Sequence, residues 1–543
     1  MANIPTWYRI RYEFYKQIHE QVLRRLGDEP AEIRSYRKNY EKEFDRSWSV
    51  SNREILLKKI QSARLIYLGD FHPLLQSQKV HLRILKNTSV GKNTVLGLEC
   101  FWQVDQGLLD QFIKGTLSEK DFLKKIEWKK KWGFPWKNYQ PMLRWARENK
   151  VKVIGLNGPI KSKIKNLNTA GSVGLKTRDQ WAADAILKYF SEHPDCKMFV
   201  VYGDLHLAER HLPGLVKKKM GKRSPLKTLR VMQNSEKIYF QLLRKEKEDQ
   251  VDVVALPRET FCLLSVPPWV KWQNYLLDLE QTDDQGLKGS SLDLTDHVSQ
   301  YVKMICQDLE LKVDVSHLSV FTAQDRSLWK SIQENFPIRQ VEVLELMIAE
   351  ERPFFLPQVG IAYLSRMSVN HAAALAMHYI HSRHCKLKAW NLELPRDFQR
   401  LIWLEALSYF GSKLINPKRK TETLLDLRKM LDSKSPRDAG KESLRLALAQ
   451  KMTELSVLTK RDGHRFKFIP KKKSSYLTAA TLLGGMMGEK IFTGYRQKIL
   501  SLSAIQNLLK KDWTSEAFIK SYYAILEIIE PMPTSFKSKS DKL

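Results

Sequence analysis

Two short stretches of the chain echo each other, Gly69-Asp70-Phe71-His72 and Gly203-Asp204-Leu205-His206, each a glycine, then a carboxylate and, two residues later, an imidazole. Residues i and i+2 of an extended segment project from one side, so each Asp-x-His pair can address one centre. With Glu99 the set offers nitrogen and oxygen donors of the kind that hold a borderline divalent ion such as iron, zinc or manganese, or an imidazole for the axial position of haem iron. A metal held by His72, His206, Glu99 and Asp204 would also acidify a bound water. Glu99 or Asp70 would then act as general base on an amide or ester, which makes metal-dependent hydrolysis the alternative to plain ligand binding. One such tripeptide says little. Two copies, both after glycine at the end of an apolar run, point to a shared site.

The elements that must position these residues can be read from their surroundings. Leu65 to Leu68 and Met198 to Val201 read as buried strands ending at the two motifs, while Val95 to Leu98 leads into Glu99 and Val151 to Leu156 into Asn157. Helical stretches lie between these runs, so the economical arrangement is α/β: a largely parallel sheet flanked by helices. The carboxyl ends of its strands share one edge, where open α/β sheets bind ligands. Asp70, His72, Glu99, Asn157, Asp204 and His206 should meet there. Arg178 and Asp179 open a helix carrying Trp181, Ala185 and Tyr189; the arginine can brace one of the carboxylates, or the two can be an ordinary helix-start charge pair. The aromatic, basic insertion from Trp128 to Tyr139 holds Trp132, Phe134, Trp136 and Lys129 to Lys131. It suits a flat anionic ligand, and core packing explains its rings equally well.

At 543 residues, with 43% hydrophobic and 10% aromatic residues, the chain is globular and long enough for two or more domains. The reading divides it into an N-terminal helical arm (1–61), the α/β domain (62–267), a mostly α-helical domain (268–532) and a basic, disordered tail (533–543). Its 5 cysteines form no CxxC pair, which fits a reducing compartment. The start shows no signal-peptide pattern and no stretch is apolar enough to span a membrane, so a cytoplasmic protein is expected. The net charge of +31 is dispersed over small clusters, Lys129 to Lys131, Lys217 to Lys219 with Lys222 and Arg223, Lys418 to Lys420 and Lys471 to Lys473. No nucleic-acid motif accompanies them, so nucleic acid is not the expected partner; peripheral contact with anionic membrane, or a non-enzymatic basic scaffold, is the reading that charge alone supports. Residues 6 to 26 form an amphipathic helix, read as packed on the following domain or as a membrane-surface anchor, and a second helical stretch follows to about Ile60. Beyond Pro268 helical periodicity dominates, including Ile361 to His384, whose His371, His378, His381 and His384 offer a weaker metal-binding pattern. There is no GxSxG, Walker loop, GxGxxG or HExxH motif, which disfavours serine hydrolases, P-loop and dinucleotide enzymes and zincins.

In order and approximate spacing, Ile66 to His72, Gln78, His81, Gly97-Leu98-Glu99, Trp132, Tyr139-Gln140-Pro141, Leu156-Asn157, Arg178-Asp179 and Tyr202 to His206 resemble the ChaN-like haem-binding uptake family of the Tiki/TraB superfamily. The resemblance covers about residues 62 to 215. It implies an α/β fold with the His and Glu motifs at the sheet edge, haem or iron handling for ChaN-like members, and metal-dependent hydrolysis for Tiki-like relatives. Carried over by residue, it implies a site at His72, Glu99 and His206, with Tyr139, Asn157, Arg178 and Asp179 around them. Haem is the expected cofactor or ligand, a divalent metal ion the alternative.

Overall fold

The computed structural model describes residues 6–91, 93–158, 174–221, 226–284, 293–323, 325–365, 368–433, 438–459, 466–534 and 537–543; Lys222 and Arg223 lie outside them. The chain divides into two compact units, Met1–Leu279 with Leu543, and Glu280–Lys542. The division falls inside the helix Pro268–Asp284.

A mixed sheet of eight strands carries the first unit: β1 (Ser49–Ser51), β2 (Leu65–Asp70), β3 (Thr94–Trp102), β4 (Lys152–Asn157), β5 (Lys197–Gly203), β6 (Thr228–Gln233), β7 (Val253–Leu256) and β8 (Thr260–Leu263). Their spatial order is β1-β7-β8-β6-β2-β5-β3-β4. The strands β2, β3 and β5 are buried on both faces, which is why they read as continuous apolar runs. Pairings among β2 to β6, and of β6 with β8, are parallel, as the crossover helices require; β7 is antiparallel to both β8 and β1. Helices cover both faces. One core gathers Ile84, Phe112, Met142 and Leu143 against Leu68, Leu98 and Phe199, and the other gathers Tyr40, Ala183, Ile186 and Leu212 against Tyr67, Val200 and Tyr202.

The N-terminal stretch differs from its helical reading after residue 43. Helices Thr6–Leu26 and Ala31–Glu43 are present, but β1 then pairs with β7 before the helix Arg53–Ser62 begins. A three-residue edge strand is too short to show any alternation, so its pairing is set by the partner strand. The first helix is packed on the unit: Phe14, Ile18 and Val22 are buried, Tyr8 and Tyr12 meet the ring of Phe240 edge-on, and Tyr15 donates a 2.6 Å hydrogen bond to Glu236.

In the second unit helices dominate, and the region is 59% helical. Strands persist there, against the reading of Ile361 to His384 as one helix. The strands β9 (Ser319–Phe321), β10 (Phe354–Leu356) and β11 (Ile361–Tyr363) form a small sheet, and the helix spans Val369–Cys385 only, with Ser368 capping it by accepting from the His371 amide. The helix Phe398–Ile415 is buried along almost its whole length. The helix Ser474–Arg496 approaches it so closely that a Cβ on Gly488 would stand 2.5 Å from the Ala406 carbonyl oxygen. A terminal 3-10 turn, Lys539–Asp541, is capped by Ser538. Among the described residues no helix is long and apolar enough to cross a membrane.

Candidate functional site

Parallel pairing aligns the ends of β2 and β5, with Gly69 opposite Tyr202 and Asp70 opposite Gly203. On the other side of β5, Leu98 of β3 stands opposite Val201, so Glu99 arrives beside the same strand end. Next to it β3 shifts register against β4 between Leu98 and Trp102. That irregularity brings backbone onto Gly155, where a Cβ would lie 2.8 Å from the Phe101 carbonyl oxygen. Only glycine permits this approach.

Gly203 is the centre of the arrangement. A Cβ built on it would lie 3.3 Å from each of three atoms, Glu99 Oε2, His72 Nε2 and His206 Cδ2. The two imidazoles are therefore no farther apart than twice that distance. His72 Nε2 is 3.7 Å from Glu99 Oε2, and the Gly203 amide donates to the same carboxylate oxygen at 2.5 Å. The other oxygen of Glu99 pairs with Arg178. Burial alone would raise the Glu99 carboxyl, but Arg178 and then the two imidazoles outweigh it and hold it below its ordinary value.

The two Asp-x-His motifs are built differently. Asp70 ends β2 and its carboxylate is saturated: Oδ2 accepts from His72 Nδ1 at 2.9 Å and from Tyr139 at 3.0 Å, while Oδ1 accepts from Gln78 at 2.7 Å and His81 at 3.2 Å. Burial opposes the charge, yet the hydrogen bonds from His72 and His81 hold this carboxyl well below the usual range. Since a carboxylate only accepts, the His72 proton sits on Nδ1 and Nε2 is left to the site. In the second motif Asp204 to Leu207 form a 3-10 turn rather than an extended segment. Residues i and i+2 then point about 240° apart, so Asp204 cannot hold His206. The expectation that both pairs act alike fails here for that reason. Asp179 supplies the carboxylate instead, accepting from His206 Nδ1 at 2.6 Å, and is itself held by the Tyr36 hydroxyl at 2.8 Å. Asp204 lies under Gly69, its Cβ 3.5 Å from where a Cβ there would stand, and burial raises its carboxyl above the ordinary value despite Lys271 and His72.

The remaining sequence candidates take supporting places. Asn157 ends β4 and is buried, its Oδ1 accepting the Gly158 amide at 3.0 Å. Tyr139 is a core residue whose hydroxyl holds Asp70. Of the aromatic insertion, Trp128 is buried and donates to the Phe134 carbonyl at 2.9 Å, while Trp132 and Phe134 are partly buried and contact His72, with ring centroids 4.6 and 5.2 Å away. The insertion thus serves the core at Trp128 and Tyr139 and borders the site at Trp132 and Phe134. Lys131 pairs with Asp105 at 2.8 Å; Lys129 and Lys130 are exposed. Tyr36 was not among the sequence candidates. It comes from the helix Ala31–Glu43, far from either motif in sequence, and no local pattern marks it.

Most of this constellation is sealed: the side chains of Asp70, Glu99, Asp179 and His206 are at most 5% exposed, whereas His72 keeps 20% of its surface in solvent. Among the described residues no three His, Cys, Asp or Glu side chains are grouped to hold a metal ion. The donors explain this: both Nδ1 atoms, Asp70, Asp179 and Glu99 are engaged with one another, with Arg178 or with backbone. The His72 Nε2, backed through the ring by a buried carboxylate, is the donor best placed to reach an outside ligand.

No curated protein matches the chain. A solved structure described as cofacial heme binding to ChaN of Campylobacter jejuni is similar at 17% identity, over 33% of this chain and 85% of that one, with a TM-score of 0.24. Residues 56–182, which carry His72, Glu99, Tyr139, Asn157, Arg178 and Asp179, match the family described as haem-binding uptake, Tiki superfamily, ChaN, as the resemblance read from the sequence implied.

Proposed function

We propose that the first unit binds haem at the edge formed by β2, β3 and β5, with His72 as the iron ligand. The observation that carries this reading is the state of His72: an imidazole with one edge in solvent, its Nδ1 held by buried Asp70, and two flat apolar rings, Trp132 and Phe134, against it. A carboxylate-backed imidazole is a strong axial donor to iron, and aromatic rings suit a macrocycle. Iron and porphyrin would supply the colour and any redox chemistry; the protein's residues supply binding and orientation. Asp70 fixes the His72 tautomer, Asp179 fixes that of His206, and Arg178 neutralises Glu99. The exposed Lys129 is available to a propionate; Lys130, also exposed, is paired with Glu127 at 3.5 Å. The matched family, described as haem-binding uptake, supports the same ligand class.

The hydrolase alternative has less support. A general base must be free to take a proton, and Glu99, paired with Arg178 and held below its ordinary value, is a poor one. A divalent ion would need donors that are already engaged. Peripheral contact with anionic membranes through the +31 charge belongs to the proposal as well, and should be reversed by salt in vesicle sedimentation.

Haem titration of the purified full chain tests the main claim. A Soret band should develop with saturation and should shift or vanish in His72→Ala, while His371→Ala, in the second unit, should titrate like the wild type. Failure of the wild type to bind haem would remove the proposal.

A further inference from the structure

We propose that residues 466–473 of the second unit form a surface that docks on anionic membrane, the lysines meeting the lipid headgroups while Phe466 and Ile469 enter the headgroup layer. This assignment rests on the membrane contact that the net charge supports, and gives it a place. The eight residues read Phe-Lys-Phe-Ile-Pro-Lys-Lys-Lys, with 4 lysines and no acid. They lie beyond the helix Asp438–Leu458, and 466–470 form neither helix nor strand. The backbone is held all the same: the Phe466 amide donates to Thr453 Oγ1 at 3.1 Å, Pro470 is buried, and the Lys472 amide donates to Glu442 at 3.4 Å.

Exposure and charge together select the occupant. Ile469 is 81% exposed and Phe466 48%. Val457, one helical turn beyond Thr453 and so on the face that Phe466 borders, is exposed as well. Lys473 reaches back to Glu342, one turn along the helix Ile338–Ala349 from Ile338, whose side chain is 76% exposed. Ile469 and Ile338 are the two most exposed large apolar side chains among the described residues. Along the segment itself the charge is of one sign. Of the carboxylates that meet it, Glu342 is paired with Lys473, and Glu442 accepts from the Lys472 amide and the Ser475 hydroxyl; Lys467, Lys471 and Lys472 are exposed. A second copy of this chain would bring the same positive charge to the contact, and a nucleic acid offers nothing to exposed isoleucines. An anionic bilayer answers both features: its surface potential attracts the lysines, and its headgroup and acyl boundary accepts apolar side chains.

Sedimentation of the full chain with vesicles tests the assignment, using phosphatidylcholine alone or phosphatidylcholine and phosphatidylserine in equal parts. Even a myristoyl chain anchors only marginally, so two side chains cannot hold the protein by themselves. It should bind the anionic vesicles, leave the neutral ones and be released by salt. Each lysine at an anionic surface is worth about fivefold in affinity, so replacing Lys467, Lys471 and Lys472 by Gln should weaken binding about a hundredfold. Phe466→Ser with Ile469→Ser keeps the charge and should still weaken it about tenfold. Should that double variant melt early, Ile469→Ser alone, at the more exposed position, reads the same effect. Lys217→Gln with Lys218→Gln, at exposed positions of the first unit, should bind like the wild type. Wild-type binding by the variants at 466–472, or a loss matched by the Lys217 and Lys218 variant, overturns this surface and leaves diffuse charge as the membrane contact. A lysine effect without a serine effect makes the segment a general polyanion site and overturns it too. A wild type that ignores anionic vesicles removes the membrane contact altogether.

Discussion

His72 and Asp70 are joined by a single hydrogen bond of 2.9 Å, in which a buried carboxylate holds an imidazole that keeps one edge in solvent. The pair makes the first unit's stability depend on pH from both sides. Burial alone would raise Asp70, but His72 and His81 hold it well below the usual range; burial would lower His72, but Asp70 and Glu99 hold it above its ordinary value. A depressed carboxyl contributes above its unfolded value, about 4, and loses that contribution as pH falls through the folded value. A raised imidazole contributes fully below its unfolded value, about 6.5, and loses that contribution as pH rises through the folded one. Wild type minus Asp70→Asn, compared by urea unfolding across this range, should therefore be largest between about pH 4 and 6.5. A difference that does not change with pH would contradict the coupling.

Gly203 predicts a steric outcome. Its φ of −50° is open to any residue, so Gly203→Ala acts only through the three atoms, 3.3 Å away, that surround its missing side chain. Glu99, His72 and His206 are all anchored and cannot yield without loosening another bond. Haem affinity of Gly203→Ala should fall by about tenfold or more. At Gly69 the nearest atom to a new Cβ is the end of the Leu207 side chain, also at 3.3 Å, which can shift more easily. Gly69→Ala should titrate closer to the wild type, and equal losses in the two variants would refute this account.

Much of the arrangement was legible because the strands are buried on both faces: Leu65 to Leu68, Val95 to Leu98 and Met198 to Val201 stand out as apolar runs whatever the tertiary context. Parallel pairing then forces their carboxyl ends together, and Asp70, His72, Glu99 and His206 with them. What escaped depends on contacts distant in sequence or on local geometry without a pattern. Asp179 replaces Asp204 as the partner of His206 because the chain turns into a 3-10 segment after Gly203, and Tyr36 reaches Asp179 from the N-terminal helices. The short strands β1, β9, β10 and β11 hold three residues each, too few to separate a strand from a helix by periodicity.

Arg178 and Glu99 form a buried pair, their side chains 13% and 2% exposed, and breaking such a pair leaves a charge without compensation. Arg178→Met should cost roughly 3–5 kcal/mol of unfolding free energy. The double variant Arg178→Met with Glu99→Gln should lose less than Arg178→Met alone, since it leaves no orphan charge. A thermodynamic cycle over the four proteins measures the coupling. Additive losses would show that Arg178 acts by packing and not as the counter-ion of Glu99.

Trp128 and Trp132 lie in the same insertion yet should separate stability from binding. Trp128 is buried, packed against Phe101 and Trp136, and donates to the Phe134 carbonyl, so Trp128→Ala should cost about 3–5 kcal/mol, as large-to-small changes in a core do. Trp132 is only partly buried and stands against His72. Trp132→Ala should cost less stability and more ligand, with a haem affinity lowered by about tenfold in spectral titration. Phe134→Leu keeps apolar volume while removing the ring, and should weaken haem more than it lowers the melting temperature. Should Trp132→Ala bind haem as the wild type does while melting as early as Trp128→Ala, the insertion is core throughout. The ligand would then have to approach His72 from another side.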